Sequence, residues 1–470
     1  MKSKADEILN FFERICAIPH TSGNEGELRK FLIDFFEEQG GFRSEVDGYG
    51  NLKVSRLNSS SDSKKIILQA HLDMVPQALD KDFDFYKQGI KTEILGNKLK
   101  SALGTTLGAD NGIGVAAGVI ALLDEELKNY DLTLICTVEE EIGLNGAVNL
   151  SQEFLANADY LLNLDSEDWG ELFVGCAGGV RTDSTIPIKR KKNENKFDYK
   201  ITLSNLKGGH SGCDIHLPRA NAIIEALKFA KLCDLEIADI QGGTLDNAIP
   251  RECVIVASSN YDINYFEQIS AQFKSDFLKK FSEDYEMDLS IAPSEVRNEL
   301  VWENSAQIIE NLISVPNGVL KKSDELGVVV SSSNFAIINS DGDVLKVNSS
   351  QRSLYNSERD ALQSKIAEHL KLISGVSVAR SAYPAWEMKE NSILSSQAQE
   401  LYRQMFKQEA TIKVIHAGLE CGLFTEKFPG LDMISFGPTL RGVHAPGERL
   451  DLASLDKFVA LLVDLVKNYK

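Results

Sequence analysis

The chain has 470 residues, too many for one compact core, so at least two domains are expected. Its formal net charge of −19 leaves no basic footprint of the kind a nucleic-acid-binding protein needs, so no nucleic-acid partner is expected. The cysteines number seven, an odd count without a Cys-x-x-Cys pair. That argues against a disulfide framework or a cysteine-bound zinc and for a reducing compartment.

The first thirteen residues are charged and amphipathic and lack the apolar run of a secretory signal. No stretch is long and apolar enough to cross a bilayer, so the expected location is cytoplasmic with no membrane partner. Residues 5–16 and 25–39 read as helices, with Ile8, Phe11, Phe12 and Ile15 at helical spacing and Pro19 shortly beyond. Ile66 to Ala70 then reads as a buried strand, Gly112 to Leu127 as an apolar helix, and Leu132 to Cys136 and Tyr160 to Leu164 as further strands. This alternation predicts an α/β domain with a mainly parallel sheet.

After Arg181 the texture changes. Segment 199–290 reads strand, helix, strand, helix, and segment 288–380 repeats that mixture, which predicts an inserted α+β domain built as a duplication. The basic run Lys189 to Lys192 reads as a connecting loop. From Trp386 the α/β texture returns, with a helix over 391–406, a strand within 431–436 and a closing helix over 453–468. The expected layout is a discontinuous first domain, residues 1–186 and 384–470, interrupted by an inserted domain over 187–383.

Six short motifs carry chemistry. They are Gln69-Ala70-His71-Leu72-Asp73, Gly108-Ala109-Asp110-Asn111-Gly112, Thr137-Val138-Glu139-Glu140-Glu141-Ile142-Gly143, Leu164-Asp165-Ser166-Glu167, Gly208-Gly209-His210-Ser211-Gly212 and Gly442-Val443-His444-Ala445-Pro446. Each alone reads as ordinary structure: Asp110 as a helix N-cap, the acidic triplet as a solvated helix end, His444 as a loop histidine. Their shared position tells more. In open α/β sheets ligands gather beyond the carboxyl ends of strands, and most of these groups directly follow a predicted strand.

Imidazole and carboxylate are the donors of catalytic zinc. A site for two divalent ions needs one bridging carboxylate and a further pair of ligands on each side. Asp110 as bridge, His71 with Asp165 on one ion and Glu141 with His444 on the other meet that need. Zn is the expected metal, with Co or Mn as alternatives. Asp73, two residues past His71, is expected to accept the second ring N–H of His71. Glu140 is the carboxylate that takes a proton from water and passes it to a leaving amine.

With these motifs in place the sequence resembles the aminoacyl-histidine (Xaa-His) dipeptidases, of the di-zinc superfamily that includes carboxypeptidase G, aminoacylase and carnosinase. The resemblance spans nearly the whole chain. It extends to Gly175-Cys176-Ala177-Gly178-Gly179, Leu206-Lys207-Gly208-Gly209-His210-Ser211-Gly212, Gly243 to Glu252 and Ile415-His416-Ala417-Gly418-Leu419-Glu420-Cys421-Gly422. It implies a di-zinc peptidase domain with an inserted lid domain, and hydrolysis of Xaa-His dipeptides, β-alanyl-histidine included. It implies the metal ligands His71, Asp110, Glu141, Asp165 and His444, Glu140 as general base and Asp73 as orienting acid. It further implies that His210, on the lid, stabilises the oxyanion, and that Asn247 and Arg352 hold the substrate backbone and its carboxylate. Gly418 and Glu420 are expected to line the substrate pocket. The resemblance leaves open a homodimer through the lid, in which His210 would act in trans. Glu139 stands where relatives often have Asp, and Ser349 to Arg352 follows their acid-x-Arg pattern only loosely. The alternatives are another amide hydrolase of the superfamily, an aminoacylase or a tripeptide aminopeptidase, and a non-catalytic peptide- or metal-binding relative.

Overall fold

The computed structural model describes residues 3–57 and 64–468 of the chain. The protein divides into two compact units. The first runs to residue 176 and takes in 386–414 and the chain from 419 onward; the second holds 177–385 and 415–418. Among the described residues no helix is long and apolar enough to cross a membrane.

The first unit is built on an eight-stranded sheet. In spatial order its strands are Phe42–Val46, Leu52–Arg56, Asp131–Thr137, Lys65–His71, Tyr160–Asn163, Asp432–Ser435, Glu171–Cys176 and Thr411–Ile415. The four central strands, from Asp131–Thr137 to Asp432–Ser435, are mutually parallel. The neighbouring strands on either side are antiparallel, and at one edge Phe42–Val46 and Leu52–Arg56 form a hairpin, which needs no crossover. Lys65–His71 is buried along almost its whole length, as expected of a parallel strand covered on both faces. The register sets the chemistry. His71 lies beside Thr137, and Gln69 beside Asn163, so the residues that leave these strands emerge side by side.

The helix Ala109–Leu123 covers this sheet. Its regular part starts at Gly112, because Asp110 and Asn111 have non-helical dihedrals, and it ends at Leu123, ahead of a separate short turn over Glu125–Leu127. The helix is buried nearly all round, and Lys4–Cys16 packs against it. That first helix is held at its start by a reciprocal pair of bonds between Ser3 and Asp6. Leu452–Asn468 closes the unit with Leu455, Phe458, Leu462 and Val466 inward.

A smaller sheet orders the strands Leu440–Arg441, Arg449–Asp451, Lys98–Ser101 and Thr92–Leu95. Arg449 pairs with Lys100 and Leu440 with Leu450. The loop 442–448, which carries His444, is thereby clamped at both ends.

The second unit is a nine-stranded antiparallel sheet with helices Ala222–Leu232, Ile263–Lys280, Ser305–Ile313 and Asn356–Lys371, sharing one apolar core that includes Phe229, Trp302, Phe335 and Leu370. Two sequence expectations change here. Strand Gly178–Pro187 belongs to this unit, because it is hydrogen-bonded between Val344–Ser353 and Val376–Tyr383, so the insert begins about ten residues before 187. Strand Asp288–Pro293 pairs with Phe197–Ser204, so the sheet groups its strands differently from the two consecutive segments read along the chain.

Helix Ala109–Leu123 meets the end of strand Tyr160–Asn163 at Gly114. A Cβ there would stand 1.9 Å from Asn111 Oδ1 and 2.7 Å from the Leu164 carbonyl oxygen. The Gly114→Ala variant should lose about 1–3 kcal/mol of stability, the usual cost of overpacking. Denaturant unfolding measures this, and an unchanged midpoint would show that helix and strand can part freely.

Candidate metal centre

Asp110 is the centre of a cluster in the first unit. Its Oδ1 lies 3.1 Å from His71 Nε2 and its Oδ2 lies 3.2 Å from His444 Nε2. Each ring has a second carboxylate: His71 Nε2 is 3.4 Å from Asp165 Oδ1, and His444 Nε2 is 3.0 Å from Glu141 Oε2. One carboxylate thus spans two imidazole–carboxylate pairs. His71 is buried, whereas His444 has a half-exposed side chain.

The electrostatics follow from this crowding. Burial opposes a proton on His71, but Asp165 and Asp110 override it and raise its pKa well above the usual histidine range. Hydrogen bonds to Asp110 and Glu141 push His444 up to about 11. Burial would raise the carboxyl of Asp110, yet the two rings hold it below the ordinary range. Burial, with the Asp110 and Glu141 charges, pushes Asp165 up to about 6, and burial with Asp110 and Asp165 pushes Glu167 up to about 8. Glu140 is raised well above an ordinary glutamate by burial and by Asp165, Glu420 and Glu141. The cluster holds more negative charge than its two rings can balance.

Main-chain amides hold the ligand-bearing turns. The three N–H groups of the acidic triplet each meet a carboxylate oxygen. Glu139 N–H donates to Glu25 Oε1 at 3.1 Å, Glu140 N–H to Asp73 Oδ1 at 3.0 Å and Glu141 N–H to Asp73 Oδ2 at 3.1 Å. Ser22 Oγ adds a bond to Asp73 at 2.8 Å. The expected role of Asp73 therefore shifts. The nearest acceptor for His71 Nδ1 is the main-chain carbonyl of Asp73 at 2.9 Å, and the carboxylate stands at 3.5 Å. The strand ends at His71, and the chain turns there so that the carbonyl folds back toward the ring.

Several contributors lie outside the sequence motifs or beside them. Asn111 Nδ2 donates to Asp165 Oδ1. Buried Glu448 accepts the N–H groups of residues 107–110. Beneath the ligands runs a buried polar chain. Gln69 Nε2 donates to Glu420 Oε2 at 2.6 Å, Thr137 Oγ1 donates to the same oxygen at 3.0 Å, and Asn163 Nδ2 donates to Gln69 Oε1 at 2.5 Å. Ser435 Oγ donates to Asn163 Oδ1 and lies 2.7 Å from Ser166 Oγ. Glu420 is only 1% exposed and its Oε2 is taken up by these strand residues, so it does not line an open substrate pocket as expected. A glutamate after Ala-Gly-Leu carries no local sign of that burial.

In the second unit, His210 Nδ1 accepts the Cys213 N–H at 3.2 Å, which leaves the proton of a neutral ring on Nε2. Burial and the Arg352 charge lower its pKa, so the ring is neutral at pH 7. Arg352 Nη1 donates to Tyr383 Oη at 2.7 Å, while its buried Nε has no hydrogen-bond partner among the described residues. Gly418 packs on the same tyrosine: a Cβ there would lie 3.0 Å from Tyr383 Cε2. Its small size thus admits the ring that holds Arg352. Asn247 is exposed, and its carbonyl accepts the Ser211 N–H at 2.8 Å.

The donor set of the first unit fits a pair of divalent cations. The candidate ligand atoms of His71, Asp110 and Glu141 lie within 4.8 Å of one another, and Glu141 Oε1 is buried without a hydrogen-bond partner among the described residues.

A family model described as Peptidase family M20/M25/M40 matches residues 67–468. The cytosol non-specific dipeptidase of Escherichia coli (strain K12) is 37% identical over 479 residues, covering 98% of this chain and 96% of the relative. The crystal structure of an aminoacylhistidine dipeptidase from Vibrio alginolyticus matches with a TM-score of 0.86 at 34% identity, over 99% of this chain and 96% of that one. The aminopeptidase PepT from Bacillus cereus shares the fold, with a TM-score of 0.63 at 16% identity over 99% and 98% of the two chains.

The raised pKa values of His71 and His444 keep both rings protonated at neutral pH, and an imidazole ligand must be neutral. Cation uptake at pH 7 should therefore release at least two protons per chain, with further release from the raised Glu140 and Glu167 carboxyls, and apparent affinity should fall as the pH is lowered. Calorimetry in buffers of different ionisation heat counts them. Uptake without proton release would place the ions elsewhere.

Proposed function

Because the chain belongs to peptidase family M20/M25/M40, we propose that it is a two-metal dipeptidase that hydrolyses Xaa-His dipeptides, β-alanyl-histidine among them, in the cytoplasm. The observation that carries this reading is the Asp110 carboxylate, one oxygen toward His71 and the other toward His444, with Asp165 and Glu141 completing the two pairs. Zn suits the imidazole and carboxylate donors, and Co or Mn could fill the same set. Bound there, two such ions would polarise the scissile carbonyl and lower the pKa of the attacking water.

The chain's own groups do the rest. Glu140 is a carboxylate of the cluster that is not assigned to an ion. Burial and its acidic neighbours raise its proton affinity, which suits a group that takes a proton from water and returns it to the leaving amine. Glu141, its neighbour, is a ligand, and Asp73 holds both by their main-chain N–H groups. His210, neutral with its proton on Nε2, donates to the carbonyl oxygen as negative charge develops there. Arg352 offers a planar fork to the substrate carboxylate, with Tyr383 fixing its orientation and Asn247 holding the substrate backbone.

A second reading, a dipeptidase of broad side-chain preference, is favoured by the Escherichia coli relative, whose name describes it as non-specific. A substrate panel separates the two. Xaa-His dipeptides should be cleaved well ahead of other dipeptides, their C-terminal amides, N-acyl amino acids and tripeptides. Equal rates across free dipeptides would select the broad reading. Preference for N-acyl amino acids or tripeptides would overturn both.

Two variants test the division of roles. Glu140→Gln should abolish turnover with both ions retained, and loss of metal would mean that Glu140 and Glu141 have been exchanged in this assignment. His210→Ala should lower kcat by about 10²–10³, the cost of one oxyanion donor, with metal content unaltered. Full activity in that variant would remove His210 from the reaction.

A further inference from the structure

Glu448 lies four residues beyond His444 and is only 2% exposed. Its two carboxylate oxygens accept four consecutive main-chain N–H groups. Oε2 takes Leu107 at 2.7 Å and Gly108 at 3.0 Å; Oε1 takes Ala109 at 2.8 Å and Asp110 at 3.2 Å. The last of these belongs to the residue whose carboxylate spans the two imidazoles. Consecutive amides converge this way only when the chain bends sharply, and Gly108 supplies the bend at φ 71°. A Cβ on Gly108 would lie 2.9 Å from Met74 Sδ, so the bend is also closely packed.

This arrangement bears on Asp110 directly. A helix N-terminus leaves N–H groups without internal partners, and an acid at that point ordinarily turns back to cap them. Here the turn that leads into the helix is made at Gly108, which has no side chain to offer these donors. Glu448 meets these donors from the other end of the chain. The Asp110 carboxylate is then free to face His71 and His444 instead of its own helix. The loop 442–448 also carries His444 and is pinned at its ends by strands Leu440–Arg441 and Arg449–Asp451. One buried side chain thereby joins the turn that presents Asp110 to the loop that presents His444.

We propose that Glu448 is a positioning residue for the metal centre: it sets the separation of Asp110 from His444, and through it the affinity for the cation they share. The proposal rests on the two-metal reading of that cluster. Glutamine at 448 keeps the size but turns an NH₂ group toward two of the four N–H donors, so the turn and the loop lose their common anchor.

The test compares wild-type protein with Glu448→Gln. Zn²⁺ affinities are measured by titration against a competing chelator, and the coordination geometry by the visible spectrum of the Co²⁺-loaded protein. Steady-state kinetics on a dipeptide and thermal unfolding of the metal-free protein complete the set. The weaker of the two cation affinities should fall about 10–100-fold, as for other groups that orient metal ligands. The Co²⁺ spectrum should change, and kcat should fall with KM little altered. Wild-type affinities and an unaltered Co²⁺ spectrum, with only a lower melting temperature, would make Glu448 a structural clamp and overturn the proposal. If Glu448→Gln does not fold, Glu448→Asp carries the same test, because it keeps the charge and shortens the reach by one methylene. A partial loss of affinity is then expected, and wild-type affinities again overturn the role. Wild-type protein that takes up no pair of ions would sink the two-metal reading and this role together; a variant indistinguishable from a metal-binding wild type sinks only the role of Glu448.

Discussion

Asp110, Glu140, Glu141 and Asp165 lie close together, three of them just past parallel strands and Asp110 at a helix start, and among the described residues His71 and His444 are the rings they face. Carboxylates at such separations repel, and burial adds to the penalty because it withdraws the water that would screen them. The rest of the first unit answers this constraint in two ways. The cluster presents a set of donors to divalent cations, and the turns that carry it are anchored from behind so that the repulsion does not spread them.

The anchoring uses one device more than once. Asp73 and Glu25 accept the amides of the acidic triplet, and Glu448 accepts those of residues 107–110. A carboxylate that accepts several main-chain N–H groups is a strong, charge-assisted acceptor, so each such group both pays for its own burial and fixes a turn. Gln69, Thr137, Asn163, Ser435 and Glu420 continue the scheme one layer deeper, binding side chains of neighbouring strands to one another just before those strands release their ligands. A network of this kind in a low-dielectric interior is rigid when its members are satisfied.

The second unit handles charge differently. Two of its polar groups are set up to donate: His210 with its proton on Nε2, and Arg352 with a buried Nε that no group among the described residues takes up.

Much of this was legible in the sequence. Helix and strand periods located the elements to within a few residues, because burial of one helical stripe or one continuous strand leaves a local pattern. Motif composition at strand ends singled out His71, Asp110, Glu141, Asp165 and His444, because a turn that follows a buried strand has little other reason to carry acids and imidazoles. Tertiary structure alone decided which groups hold these in place. Glu448 meets Asp110 across more than three hundred residues of chain, and Glu420 reaches Gln69 over a similar span. Glu420 reads as a residue of the substrate pocket and is buried; Asp73 reads as a partner for the His71 imidazole and, 3.5 Å from that ring, also grips two main-chain amides. The grouping of strand Gly178–Pro187 with the second unit was likewise set by its partners in the sheet. Periodicity and composition are local quantities, and they carry no record of which distant N–H a buried carboxylate will accept.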